Sequence, residues 1–116
     1  MDRMFKELSV PIKIYVGVEE IQDPYEKNIK ETLLTPIPIK ALVTDLSNTK
    51  VQYAMPGIET SKSKEIIIRK IHKDMLVMSR KIKIDGDDYE GWKVSGRLQF
   101  RTEGSFIRAY VYIKKV

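Results

Sequence analysis

The stretch Lys81-Ile82-Lys83-Ile84-Asp85-Gly86-Asp87-Asp88-Tyr89-Glu90-Gly91-Trp92 decides the fold, because Asp85-Gly86 is the dipeptide that a two-residue hairpin turn requires. Both central residues of such a turn take positive φ, which Asp and Gly tolerate. With that loop, Ile84 faces Asp87, Lys83 faces Asp88, Ile82 faces Tyr89 and Lys81 faces Glu90. One apolar pair then lands on one face and two opposite-charge pairs on the other. Cross-strand pairs of this kind contribute roughly 0.2–1 kcal/mol each, and a slip of one residue would turn lysines toward the core. The hairpin is therefore read as the centre of an all-β domain.

Strand patterning extends outward in both directions. Ile12, Ile14, Val16 and Val18 alternate with Lys13, Tyr15 and Gly17 over Val10–Val18, the period of two of a half-buried strand. Gln22–Asn28 reads as a turn-rich connection containing Pro24, Ile29–Thr35 is ambiguous, and Pro36 and Pro38 end it. A second strand spans Ile39–Asp45, with Pro38 at its start. A third spans Glu65–Ile71, where Ile66, Ile67, Ile68 and Ile71 imply burial on both faces or a second subunit on one of them. Between these two strands Leu46–Lys64 reads as a long loop, with Ser47 capping a short helix over Asn48–Ala54 that Met55-Pro56-Gly57 stops. Glu59–Lys64 is polar and expected to be mobile; loops longer than ~12–15 residues are commonly functional or disordered.

Past the hairpin, strict alternation would push Trp92 to solvent, so a bulge at Gly91 is expected to shelter the indole. Val94–Phe100 reads as strand, Thr102–Gly104 as a turn and Phe106–Val116 as the closing strand. In that last strand Ile107, Ala109, Val111 and Ile113 form the apolar face. Met1–Leu8 has no β pattern: it is either a turn of helix docking through Met4, Phe5 and Leu8 or a mobile arm, and residues 1–9 are set apart as an N-terminal arm. The expected architecture is one domain over residues 1–116, a small barrel or sandwich of about six strands with one long internal loop.

Composition narrows the function classes. With 116 residues the chain is long enough to bury a core, and no cysteine is present to form a disulfide or a thiolate metal site. A hydrophobic share of 42% and a charged share of 32% suit a soluble globular protein. No stretch approaches the ~20 apolar residues of a membrane span, and no apolar signal core opens the chain, so no membrane partner is expected. A net charge of +5 makes polyanions plausible neighbours, although the cations are spread along the whole chain.

No enzyme signature stands out. The single histidine, His72, lies in Lys70-Ile71-His72-Lys73, where lysines oppose a bound cation. Asp85, Asp87, Asp88 and Glu90 lack the glycine and bidentate-glutamate spacing of a calcium loop, and the register gives Asp88 and Glu90 lysine partners. Gly86, Gly91 and Gly96 sit at turns of a meander, and none opens a helix as a phosphate loop does. The expectation is a non-enzyme without cofactor or metal. Two candidate binding surfaces remain. Arg108, Tyr110, Tyr112 and Lys114 mix cations with aromatics, which suits single-strand stacking, the solvent face of an edge strand, or a subunit interface. The second is the long loop, with Lys50, Tyr53, Lys62 and Lys64.

In order and spacing, a first strand near the N-terminus, Ile39–Leu46, a long polar loop, Ile66-Ile67-Ile68-Arg69 and Lys81–Tyr89 resemble the head-tail joining family of tailed bacteriophages, also called head-completion or stopper proteins. Arg69 stands where that family has an arginine before the hairpin, and Gly86 followed by Tyr89 matches its turn. The resemblance spans Pro11–Val116; Gln22–Pro38 and Trp92 have no counterpart in it. It implies a β-barrel virion protein that forms a homo-oligomeric ring on the portal–adaptor connector after packaging, retains the double-stranded DNA, and presents a docking surface to the tail terminator or tail tube protein. Assembly would take place in the host cytoplasm and the product would reside at the head-tail interface of the virion. Carried onto this chain, the retaining loop is Leu46–Lys64, with Lys50, Tyr53, Lys62 and Lys64 facing DNA. The alternative is a free-standing OB-like single-stranded nucleic-acid-binding protein.

Overall fold

The computed structural model describes residues 2–23, 28–33, 36–57 and 60–114. Asp85 (φ 50°) and Gly86 (φ 84°) form the expected left-handed turn between β5 (Ser79–Ile84) and β6 (Asp87–Gly91). Ile82 faces Tyr89, Lys83 faces Asp88 and Ile84 faces Asp87, as the sequence implies. The fourth expected pair differs. The ladder between β5 and β6 stops at Ile82–Tyr89 without a Lys81–Glu90 pair, and Asp88 holds both Lys81 (3.8 Å) and Lys83 (3.9 Å).

The hairpin is one part of a closed six-stranded antiparallel barrel. Around the ring, β1 (Val10–Asp23) pairs β3 (Ile37–Asp45), β3 pairs β4 (Thr60–Arg69), and β4 pairs β10 (Phe106–Lys114). β10 then pairs β6, β6 pairs β5, and β5 returns to β1 through Lys13–Lys83, Ile14–Ile82 and Tyr15–Lys81. Alternation directs Ile12, Ile14, Val16, Ile39, Ala41, Ile66, Ile68, Ile82, Ile84, Tyr89, Ile107, Ala109 and Val111 inward as one core. Closure removes the free edges that an open sheet would expose.

Pro11 and Pro38 both lie within strands, and both fall where they do no harm. Pro38 faces Lys13 at a stretch of β3 that has only β1 as neighbour, since β4 joins from Leu42 onward. A missing N–H there breaks no second ladder.

Two plugs complete the core. α3 (Lys73–Val77) lowers Leu76 into it, and Ser79 Oγ–H donates to the Leu76 carbonyl at 2.6 Å. Leu98 enters through the gap left by the missing side chain of Gly91: a Cβ there would lie 2.5 Å from Leu98 Cδ1. Outside the barrel, α1 (Asp2–Leu8) presses Phe5 onto Leu42, Ile67 and Phe106, with the two phenyl rings 5.1 Å apart. This second cluster explains the isoleucine run of β4: Ile66 and Ile68 face the barrel interior and Ile67 faces the helix. Of the three residues expected to dock the N-terminal segment, only Phe5 is buried; Met4 and Leu8 are exposed.

Several boundaries differ from the sequence reading. α2 (Asn48–Ala54) forms as expected, with Ser47 Oγ accepting from Lys50 N–H at 3.3 Å. The polar run after it does not stay loop: β4 begins at Thr60, ten residues pairing with β10 from Lys114–Thr60 to Phe106–Arg69. Lys62 and Lys64 are therefore strand residues, because partnership with a long neighbour outweighs weak local propensity. The same strand stops at Arg69; Lys70–His72 is a 3₁₀ turn and Ile71 is 83% exposed. Val94–Phe100 is likewise not one strand. Ser95 (φ 53°) and Gly96 (φ 76°) turn β7 (Lys93–Val94) back on β8 (Arg97–Leu98), and β9 (Phe100–Glu103) follows along β10.

β1 is longer than its alternation suggested. Beyond Gly17 it leaves the barrel and pairs only with β2 (Asn28–Leu33), the segment whose sequence was ambiguous. Fourteen residues of strand reach about 46 Å at ~3.3 Å per residue. The molecule is 53 Å long but 30 and 25 Å across, so this two-stranded ribbon accounts for its length. The Pro24 turn, Ile58, Glu59, Lys115 and Val116 lie outside the described residues.

Candidate functional site

The outward residues of β10 carry the most distinctive surface. Since Ile107, Ala109 and Val111 point into the barrel, Phe106, Arg108, Tyr110 and Tyr112 must point out. Phe106 is covered by α1. The next two residues border a concavity of about 200 Å³ lined by Trp92, Gln99, Phe100, Arg101, Arg108 and Tyr110.

Each wall has a local cause. Trp92 N–H donates to the Tyr110 carbonyl at 2.9 Å, and the Trp92 carbonyl accepts from Gln99 N–H at 3.0 Å. No register shift is found between β6 and β10, so the bulge expected at Gly91 is not what shelters the indole. Alternation does send Trp92 outward, and the β7–β8 hairpin brings Gln99 and Phe100 up beside it. β9 then sets Phe100 opposite Ala109 and Arg101 opposite Arg108.

The cations of this concavity are neutralised. Arg108 reaches Glu65 at 3.5 Å and Glu103 at 3.2 Å, and Arg101 Nε–H donates to Glu103 at 2.9 Å. Glu65 is buried, so its charge needs the arginine beside it. The hydrogen bond from Arg101, reinforced by the charge of Arg108, holds the Glu103 carboxyl below its ordinary value. The result is an aromatic hollow braced by a four-membered ion network, suited to receiving an apolar or planar group and poor at gripping phosphates.

Tyr112 belongs to a different hollow, beside Ser79, Arg80, Glu90, Gly91 and Lys93. Burial, then the neighbouring Glu90 charge, raises its hydroxyl pKa. Lys114 continues the strand, but its side chain lies outside the described residues. Arg108, Tyr110 and Tyr112 thus share one face of β10 and serve two separate depressions.

The other four candidates do not form one surface. Lys50 and Tyr53 are exposed on α2, Tyr53 by 86%. Lys62 and Lys64 lie on β4 at the barrel mouth, with Lys62 Nζ 2.8 Å from Asp87 and Lys64 bonded to Asp45. These pairings raise both lysines and lower Asp45. The mouth is a polar recess of about 520 Å³ with Tyr89 at its floor. The Tyr89 hydroxyl is buried without a hydrogen-bond partner, and desolvation raises its pKa.

Among the described residues no group of three or more acidic or histidine side chains is placed to hold a metal ion. His72 lines an outer groove with Phe5, Lys6, Ser9, Lys40 and Arg69. Trp92 and Phe100 were not assigned a role from sequence; only the return of the short hairpin brings them to Tyr110. No helix among the described residues is long and apolar enough to cross a membrane. No family model matches the chain, and no curated protein is similar to it at a significant level.

Proposed function

We propose that this protein is a structural, non-enzymatic virion component: a head-completion or stopper subunit that forms a ring on the portal–adaptor connector, retains the packaged DNA and offers the tail its docking surface. The observation that carries this reading is a closed barrel from which a two-stranded ribbon departs between early strands. The strand order on which the family resemblance rests supports it as well. Within this reading the projecting element is the β1–β2 ribbon and not Leu46–Lys64, since Lys62 and Lys64 are strand residues tied to Asp87 and Asp45.

The test is deletion of the gene from its source phage, followed by electron microscopy and nuclease protection of the particles. Tail-less heads that package and then lose their DNA are expected. Normal tailed particles would overturn the reading.

The aromatic hollow of Trp92, Phe100 and Tyr110 favours a second reading, an OB-like single-strand binder, because successive bases stack on such rings. Its arginines already have carboxylate partners, which weakens phosphate tracking. Tight, salt-dependent binding of single strands by the isolated protein would move this reading to the front.

A further inference from the structure

The ribbon and the barrel differ in charge. Residues 17–33 contain Glu19, Glu20, Asp23, Glu26 and Glu31 against Lys27 and Lys30, a balance of −3 within a chain of +5. The register sharpens this. Glu20 faces Lys30, but Glu19 faces Glu31, and the next pair in that row is Ile21 with Ile29. Like charges directly opposite one another in an antiparallel pair are destabilising unless a cation joins them.

A surface of matching chemistry lies on the barrel wall. The groove of about 320 Å³ beside α1 is bordered by Lys6, Ser9, Lys40, Arg69 and His72, with the buried Phe5 beneath. The Arg69 guanidinium stacks over Phe5 at 4.8 Å and reaches Asp2 at 3.6 Å. Lys6 and Lys40 have no acidic partner among the described residues. A cationic groove with two lysines free of acidic partners among the described residues fits the acidic pair of the ribbon.

The topology decides whose ribbon fits. Lys40 lies opposite Pro11 and Ser9 precedes β1, so the groove sits beside the start of that strand. The ribbon begins at Gly17, six residues or about 20 Å further along, and runs on in the same direction. A chain therefore sends its ribbon away from its own groove.

We propose that the β1–β2 ribbon of one copy seats in the Phe5–Arg69 groove of a second copy, placing Glu19 and Glu31 among Lys6, Lys40 and Arg69. The contact is head-to-tail, so repetition closes a ring or extends a filament according to the rotation between copies. It deepens the ring reading by naming the contact between neighbours, and it rests on that reading only for the ring's place in the virion.

Sedimentation velocity on the full chain tests it, from about 1 μM to about 1 mM protein and at about 0.01 M and about 1 M salt, where the screening length falls from ~30 Å to ~3 Å. The wild type is expected to associate at low salt, at least tenfold less tightly at high salt. The variants Glu19→Lys/Glu31→Lys and Lys6→Glu/Lys40→Glu, each checked for a native circular-dichroism spectrum, are expected to remain monomeric alone. Mixed together they should assemble, because each ribbon then meets a groove of opposite sign. A wild type that stays monomeric throughout, a ribbon variant that associates like the wild type, or a mixture of folded variants that does not assemble would each overturn the proposal. Failure of the function reading is separable: phage carrying Glu19→Lys/Glu31→Lys that still seal their heads would sink this contact and leave the stopper standing, whereas normal particles from the gene deletion would sink the stopper and leave the sedimentation result intact.

Discussion

Leu98 fills the space that a side chain on Gly91 would need, its Cδ1 standing 2.5 Å from the position of the absent Cβ. Gly91 belongs to β6 at the seam where β6 meets β10, and Leu98 passes this opening to join the core. Gly91→Ala forces Leu98 or the seam to move, and overpacking of this kind costs about 1–3 kcal/mol. Leu98→Ala should cost about 2–5 kcal/mol through the cavity it leaves. The double variant is expected to lose less than the sum, which urea denaturation of all four proteins would show as a coupling energy; strict additivity would mean that the two residues do not share this space.

The turn Asp85-Gly86 has positive φ at both positions. Gly86→Ala introduces a Cβ into the left-handed region at a cost of about 1–2 kcal/mol, whereas Asp85→Asn should change stability by less than about 0.5 kcal/mol. Thermal unfolding midpoints distinguish these outcomes, and equal effects of the two substitutions would contradict the turn geometry.

Tyr89 is only 1% exposed and its hydroxyl has no hydrogen-bond partner. Removing an unsatisfied buried polar atom is neutral or stabilising, while removing the ring opens a cavity. Tyr89→Phe is therefore expected to unfold at the same or a higher urea concentration than the wild type, and Tyr89→Ala to lose about 3–5 kcal/mol. A marked loss in Tyr89→Phe would reveal a hydrogen bond made through solvent in the recess.

Stability should fall at both ends of the pH scale. The Asp45 carboxyl is held below its ordinary 3.8, first by the hydrogen bond from Lys64 and then by its charge, and Glu103 is held below 4.5, first by the hydrogen bond from Arg101. Carboxylates depressed in the folded state stabilise it above those values and lose that contribution as pH falls through the folded pKa. At the other end Lys62 and Lys64 are raised above 10.5 by the hydrogen bonds they donate to Asp87 and Asp45, and burial raises Tyr89 and Tyr112 above 10.0. Their contribution is complete below about pH 10 and disappears as pH rises past it. Urea midpoints from pH 2 to 11 are expected to plateau between about pH 5 and 10. Asp45→Asn and Glu103→Gln should each flatten the acid limb, and an unchanged limb in both would assign acid unfolding to other groups.

How much of this was legible before folding depends on the range of the forces involved. The hairpin from Ile82 to Tyr89, the capped helix behind Ser47 and the inward row of β10 follow from contacts a few residues apart or from a strict period of two, and sequence alone determined them. The surroundings of Glu90 were not of that kind: the hairpin ladder stops at Ile82–Tyr89, and it is Tyr112 of β10, on the other side of β6, that pairs with Glu90. Thr60–Lys64 reads as polar loop until β10 lies beside it, and Asn28–Leu33 is ambiguous until β1 does. Trp92, Phe100 and Tyr110 meet only because the turn at Ser95-Gly96 reverses the chain. Lys64 looked free to face a ligand and instead bonds Asp45, nineteen residues away. Local backbone preference and residue alternation are written along the chain, whereas pairing across a closed barrel depends on which strands the closure makes neighbours, and that was decided by the tertiary structure.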